Sequence, residues 1–243
     1  MVAAQQRPAR RGHIVLPFPH FGPKPWAMRR YQNRHRLLAI SLAILAGFVD
    51  SLGFLKLDGM FVSFMSGNST RIAVGSATSV HGSLFAGALI AAFVVGVMAG
   101  TLAASGGGRW RKPAVLALVC AILLLACLAE WLVAVPGLVT LLMAAAMGAA
   151  NAVFQRDNEV SVGVTYMTGT LVKVGQHLAF AITGGPRFAW LPYLLLWSGL
   201  IVGAIAGALV YPLLELKALW IAVAGALSLL LWSARMGPLP ATP

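Results

Sequence analysis

The sequence predicts an all-α integral membrane protein, a polytopic helical bundle of six strong spans plus two weaker broken or re-entrant segments, built from two internal repeats. Three observations predict it. The chain of 243 residues is 59% hydrophobic and only 10% charged, with a mean hydropathy of +0.84, which leaves too few polar residues to cover a soluble globule. From Leu37 onward, apolar runs follow one another with short interruptions at 56–58, 106–112, 136, 156–159, 184–187 and 215–217. Within these runs a polar phrase occurs twice, about 100 residues apart.

The N-terminal end comes first. The formal charge of +12 invites a nucleic-acid reading, but 8 of the 18 basic residues precede Leu37: Arg7, Arg10, Arg11, Lys24, Arg29, Arg30, Arg34 and Arg36. That clustering beside the first span is what the positive-inside rule expects of a cytoplasmic end. The charge is therefore topological, and no nucleic-acid partner is expected. Pro8, Pro17, Pro19, Pro23 and Pro25 interrupt the same segment, so residues 1–35 read as a disordered basic cytoplasmic tail. A cleaved signal peptide would place a shorter apolar run directly after a short basic start, which is not the pattern here.

The transmembrane domain is expected over 36–235, with repeat one at about 37–134 and repeat two at about 137–234, followed by a short tail at 236–243. Six segments approach the ~20 apolar residues a helix needs to cross the hydrocarbon: about 37–55, 83–104, 113–134, 137–154, 189–211 and 217–234. Two more, about 60–79 and 161–182, are weaker because each holds the polar phrase and a cation. If both are re-entrant, Arg109, Arg111 and Lys112 return to the cytoplasm and three crossings per repeat make the repeats inverted. If both cross fully, there are eight crossings and parallel repeats. The basic cluster favours the inverted arrangement. Trp110, Trp131, Trp190, Trp197, Trp220 and Trp232 mostly mark segment ends, as an aromatic belt does. Gly96 and Gly100, with Gly199, Gly203 and Gly207, read as close helix packing at four-residue spacing.

The phrase itself carries the candidate chemistry. Its first copy is Gly47-Phe48-Val49-Asp50, then Met65-Ser66-Gly67-Asn68-Ser69-Thr70-Arg71; its second is Gly148-Ala149-Ala150-Asn151, then Met167-Thr168-Gly169-Thr170-Leu171-Val172-Lys173. Duplicated transporters build a central site from such paired elements. An ionised carboxylate within a span costs at least ~2.5 kcal/mol and survives by facing a cavity or a partner, so Asp50 is expected to pair with Arg71 and act as a coupling or charge-binding group. The competing reading has Asp50 capping the next element. Asn151 stands at the matching place, with hydrogen bonding but no charge. Gly67 and the hydroxyls around it allow the first phrase to unwind, because Ser, Asn and Thr can satisfy freed backbone groups. Ser66, Asn68, Thr70, Thr168 and Thr170 would then supply hydrogen bonds, Gly169 would repeat the role of Gly67, and Arg71 and Lys173 would neutralise Asp50 or bind an anion. The alternative is that the small residues merely let helices approach. Gln176 and His177 lie one turn beyond Lys173, His81 falls in a loop, and Glu130 sits near a span end.

These residues match a known pattern. Gly47-Phe48-Val49-Asp50-Ser51, followed by Phe61-Val62-Ser63-Phe64-Met65-Ser66-Gly67-Asn68, resembles the bacterial YoaK-like family, also called DUF1275 or UPF0700 transmembrane proteins, over about 36–235. The family pattern is roughly G-x-[VT]-D-[AS], then F-x-[AS]-x-x-[TS]-G-N. The resemblance singles out Gly47, Asp50, Phe61, Ser66, Gly67 and Asn68 and implies a multi-pass protein of the bacterial inner membrane. It implies no reaction or ligand.

Three functions are compatible with these features. The leading expectation is a secondary transporter or permease for a small polar solute, with a central site formed by the two phrases. A structural or partner-binding membrane protein is the alternative, and an intramembrane hydrolase with Ser66 as nucleophile and His81 or His177 as base ranks last. Enzymatic activity, a cofactor and a metal site are not expected: no P-loop is present, and Cys120 and Cys127, seven apart on one helix, are ~10 Å apart along its axis. The expected partners are the lipid bilayer, the solute and another copy of the chain as a homo-oligomer.

Overall fold

A computed structural model describes residues 33–237, apart from 79, 134, 136, 157, 158, 161 and 162. The basic tail up to residue 32 and the last six residues lie outside the described residues, while the helix expected from Leu37 already begins at Asn33. Eight α-helices follow in order: α1 (Asn33–Lys56), α2 (Met65–Thr78), α3 (Val80–Gly107), α4 (Arg111–Leu132), α5 (Leu138–Ala150), α6 (Met167–Ile182), α7 (Leu191–Leu214) and α8 (Leu219–Arg235). A minimal antiparallel pairing joins β1 (Gln155–Arg156) to β2 (Glu159–Val160).

Among the described residues, three stretches are long and apolar enough to cross a membrane: Asn33–Lys56, His81–Leu132 and Leu191–Arg235. The second holds 52 residues, which as one rod would run ~78 Å at ~1.5 Å per residue, over twice a ~30 Å hydrocarbon core. The chain instead turns at Gly108–Trp110, where Gly108 adopts a φ of +50°. The third stretch divides in the same way at Glu215–Ala218. Leu138–Phe154 is shorter, an α-helix continued by a 3-10 turn over Asn151–Phe154.

Two glycine-lined seams hold the bundle. Gly199 meets Ile40, Gly203 meets the Ile44 carbonyl, and Gly207 meets Phe48 and Ser51, so the numbers rise together and α1 runs parallel to α7. Gly47 completes this seam against Leu200 and Ala204. In the other seam Gly96 meets Ala145, Gly100 meets Ala149 and Gly148 meets Phe93, which makes α3 parallel to α5. Lipid tails are as apolar as leucine, so helices in a membrane gain most by close backbone approach, and only glycine permits it at these points.

Leu38, Leu42, Leu52, Leu116, Leu123, Met143, Met147 and Leu219 fill the interior at no more than 0% exposure. Leu84, Leu102, Leu209, Leu213 and Ile182 point outward. An apolar exterior this extensive is what a lipid solvent accepts and water does not.

Two ends of the bundle can be told apart. Lys112 at the start of α4 touches His35 at the start of α1, and the pocket beside them also takes Ser233 and Met236 from the end of α8. At the other end Glu130 of α4 and Glu215 after α7 both lie near Tyr211.

Candidate functional site

The chain leaves α1 through a tight reversal. Leu57 N–H donates to the Gly53 carbonyl and Gly59 N–H to the Phe54 carbonyl, the pairing that closes a helix with left-handed residues. Asp58 and Gly59 supply them, at φ of 50° and 97°. Residues 57–64 then form no helix, and α2 starts only at Met65.

That non-helical segment is held by two side chains. Asp50 accepts the N–H of Val62 at 3.0 Å and of Ser63 at 2.7 Å on one carboxylate oxygen. Asn68 clasps Phe61, accepting its N–H at 3.0 Å and donating to its carbonyl at 2.6 Å. Asn68 is wholly buried, so each of these backbone groups would lose its partner with no water to replace it. Phe61 also packs against Phe54 and Phe64, with ring centres 4.9 and 5.2 Å away.

The second phrase is built alike. Asn151, also wholly buried, accepts the Thr165 N–H at 3.3 Å and donates to the Thr165 hydroxyl and the Met147 carbonyl, each at 3.0 Å. Asp50 reaches Ser63 across 13 residues and Asn151 reaches Thr165 across 14. Beyond these links, α2 begins at Met65 and α6 at Met167, the matching methionines.

Both helix starts open onto one cleft of about 280 Å³, lined by Ser63, Phe64, Met65, Ser66 and Phe93 on one side and Thr165 to Gly169 on the other. The N–H groups of Met65, Ser66, Thr168 and Gly169 take no backbone acceptor among the described residues. A helix always leaves its first N–H groups without an intrahelical partner, and its dipole adds a partial positive charge there. Here two such ends converge, beside the Ser66 and Thr168 hydroxyls, in a wall completed by Ser63, Thr165, aromatic rings and thioethers. The arrangement can bind acceptor atoms from both sides.

Of the eleven expected site residues, Ser66, Thr168 and Gly169 line the cleft. Asp50, Asn68 and Asn151 stand behind it and hold the chain that forms its walls. Thr170 is buried, its hydroxyl donating to the Tyr166 carbonyl at 3.1 Å, and Thr70 donates to the Ser66 carbonyl at 3.3 Å. Gly67 fits under Phe61 and Phe64, which a β-carbon would strike.

Three expectations need correction. The first phrase does not unwind: Met65-Ser66-Gly67-Asn68 is the first turn of α2, and the break lies upstream at 57–64, where Asp50 and Asn68 satisfy the backbone. Asp50 forms no ion pair with Arg71 among the described residues; its carboxylate is turned to the backbone, and the Arg71 guanidinium lies over Gly59. Nor does Lys173 reach the cleft, because its ammonium sits 5.6 Å from the ring centre of Tyr193, on which His177 also stacks.

Phe64, Phe93, Ser63, Thr165 and Tyr166 were not among the expected residues. For four of them a signal exists, since Val62-Ser63-Phe64-Met65-Ser66-Gly67 aligns with Val164-Thr165-Tyr166-Met167-Thr168-Gly169 and extends the repeat upstream. Phe93 comes from α3 and leaves no such trace.

The model of the family described as protein of unknown function (DUF1275) matches residues 38–232. A UPF0700 transmembrane protein of Rhizobium meliloti (strain 1021) is 35% identical over 206 residues, covering 83% of this chain and 87% of the relative. No solved structure matches.

Proposed function

We propose, from the premise that this chain belongs to the DUF1275 family, that it is a permease of the bacterial inner membrane for a small polar solute rich in hydrogen-bond acceptors, best a small anion. The observation that carries the proposal is the convergence of two helix starts, with their free N–H groups and hydroxyls, on one cleft. Preorganised donors at helix starts favour acceptors and negative charge, and duplicated transporters use paired broken helices in this way. A cleft of about 280 Å³ suits a solute of a few heavy atoms, at the small end of ligand pockets. Asp50, Asn68 and Asn151 enter this reading as the residues that shape the cleft. Hydrolysis is the weaker reading, because no histidine among the described residues lines the cleft to activate Ser66.

The proposal includes an inverted pair of repeats with six crossings, α1, α3 and α4 in one and α5, α7 and α8 in the other. Two features support it: the exchanged seams, in which α1 packs on α7 and α5 on α3, and the entry of α2 and α6 from opposite ends. Arg34, Arg36, Arg109, Arg111, Lys112 and Arg235 cluster at the end where α1 and α4 begin, which supports a cytoplasmic position for that end. Gly106→Cys, in a background without Cys120 and Cys127, is expected to react with an impermeant thiol reagent only from the cytoplasmic side, and Glu130→Cys only from outside. Labelling of Gly106→Cys only from outside, or of both from one side, rejects the six-crossing arrangement.

Gly169→Leu tests the permease reading directly. A β-carbon at Gly169 meets nothing within 4 Å, so the side chain enters the cleft without disturbing a neighbour. Proteoliposomes loaded with an anion-sensitive dye should show wild-type uptake of at least one member of a panel of small carboxylates and inorganic anions. The variant should lower that uptake more than about tenfold with an unchanged melting temperature. Equal uptake by wild type, variant and empty liposomes across the panel refutes the reading.

A further inference from the structure

A second pocket lies at the basic end of the bundle and shares no lining residue with the cleft. His35, Arg109, Lys112, Pro113, Ser233, Met236 and Gly237 line it, and none of these is acidic. Lys112 is only 4% exposed, although it is a lysine at a helix start. Its side-chain nitrogen lies 3.1 Å from His35 Nδ1 and 5.1 Å from the centre of the Phe154 ring. Ser233 is 2% exposed, and its hydroxyl is one of two buried side-chain polar atoms with no partner among the described residues.

A buried hydroxyl without a partner forfeits about 1–3 kcal/mol, and natural proteins keep such groups where something else completes them. The enclosed space is about 10 Å³, room for one oxygen-sized atom. An ammonium, a hydroxyl and an imidazole face that space from three different helices or turns, and the exposed guanidinium of Arg109 stands at its mouth. A single oxygen of a larger anion fits inside while the remaining oxygens meet Arg109 outside. The position is also that of lipid headgroups: helix ends, with Trp110 49% exposed next to the site, where indole rings settle at the interface.

We propose that this pocket is a binding site for a phosphate group, either the headgroup phosphate of an anionic phospholipid or free phosphate. One phosphate oxygen enters between Lys112 and Ser233, and Arg109 holds the outer oxygens. Basic pockets between transmembrane helices at a cytoplasmic face take anionic headgroups in this way. The site is independent of the permease reading, since it shares no residue with the cleft.

Delipidated protein in neutral detergent should be titrated with phosphatidylglycerol, with phosphatidylcholine and with sodium phosphate, against sodium chloride at matched ionic strength, following the melting temperature. Phosphatidylglycerol alone raising it identifies a lipid site; an equal rise with sodium phosphate identifies free phosphate. Ser233→Ala, which removes an orphan hydroxyl and so costs the fold nothing, should weaken the response about tenfold, the worth of one hydrogen bond to a charged group. Arg109→Gln, at an exposed position, should weaken it by a similar factor. The proposal is overturned if neither phosphate source shifts the melt. It is overturned equally if Ser233→Ala responds as wild type does, because a neutral substitution leaves any general attraction of charge to the surface intact.

Discussion

Gly203→Leu is expected to prevent the protein from accumulating in the membrane, the largest effect of any single change considered. The α-carbon of Gly203 rests against the backbone of Ile44, and a β-carbon there would overlap the Ile44 carbonyl, which cannot swing aside as a side chain can. To admit even alanine, α1 and α7 must part, and Gly47 and Gly207 in the same seam lose their contacts with them. Overpacking costs typically 1–3 kcal/mol even where neighbouring side chains can move; against backbone we expect about 3 kcal/mol or more for Gly203→Ala and no stable fold for leucine. Gly175→Leu is the control, since a β-carbon there meets open space. Size-exclusion profiles of the two variants in detergent measure the difference. A normal monodisperse yield of Gly203→Leu would show that the seam does not hold the bundle.

Asp50→Ala is expected to destabilise the protein by about 2–5 kcal/mol, whereas Asp50→Asn should melt close to wild type. The carboxylate accepts two backbone N–H groups, and alanine leaves both without a partner in a partly buried setting, at ~1–3 kcal/mol each. The amide of asparagine retains an acceptor oxygen at the same place. Asn151 already does this in the second phrase, accepting the Thr165 N–H. A thermal melt of the two variants separates the possibilities: if Asn is as damaging as Ala, the negative charge itself matters and the capping role is not the main one. Asn68→Ala should resemble Asp50→Ala, because it frees both the N–H and the carbonyl of Phe61.

The membrane class, the positions of the helices and the existence of two matched polar phrases were legible in the sequence. Hydropathy reports them locally, since a span must be apolar on balance to sit in hydrocarbon, whether its side chains face lipid or one another. The expected segments 83–104 and 189–211 correspond to α3 and α7 to within three residues at each end. Glycines at four-residue spacing likewise announced close packing, because that spacing returns to one helix face.

What each polar residue does was decided only by the tertiary structure. Asp50 and Arg71 are opposite charges on neighbouring segments, and the sequence paired them; the fold turns the carboxylate toward Val62 and Ser63, whose backbone needs acceptors after the chain reverses at Asp58 and Gly59. Phe93 joins the cleft from a distant part of the chain, by the packing of α3. Burial of Lys112 against His35 requires the starts of α1 and α4 to meet, 77 residues apart. Such assignments depend on which backbone groups are left without partners, and that is known only once the helices have been placed.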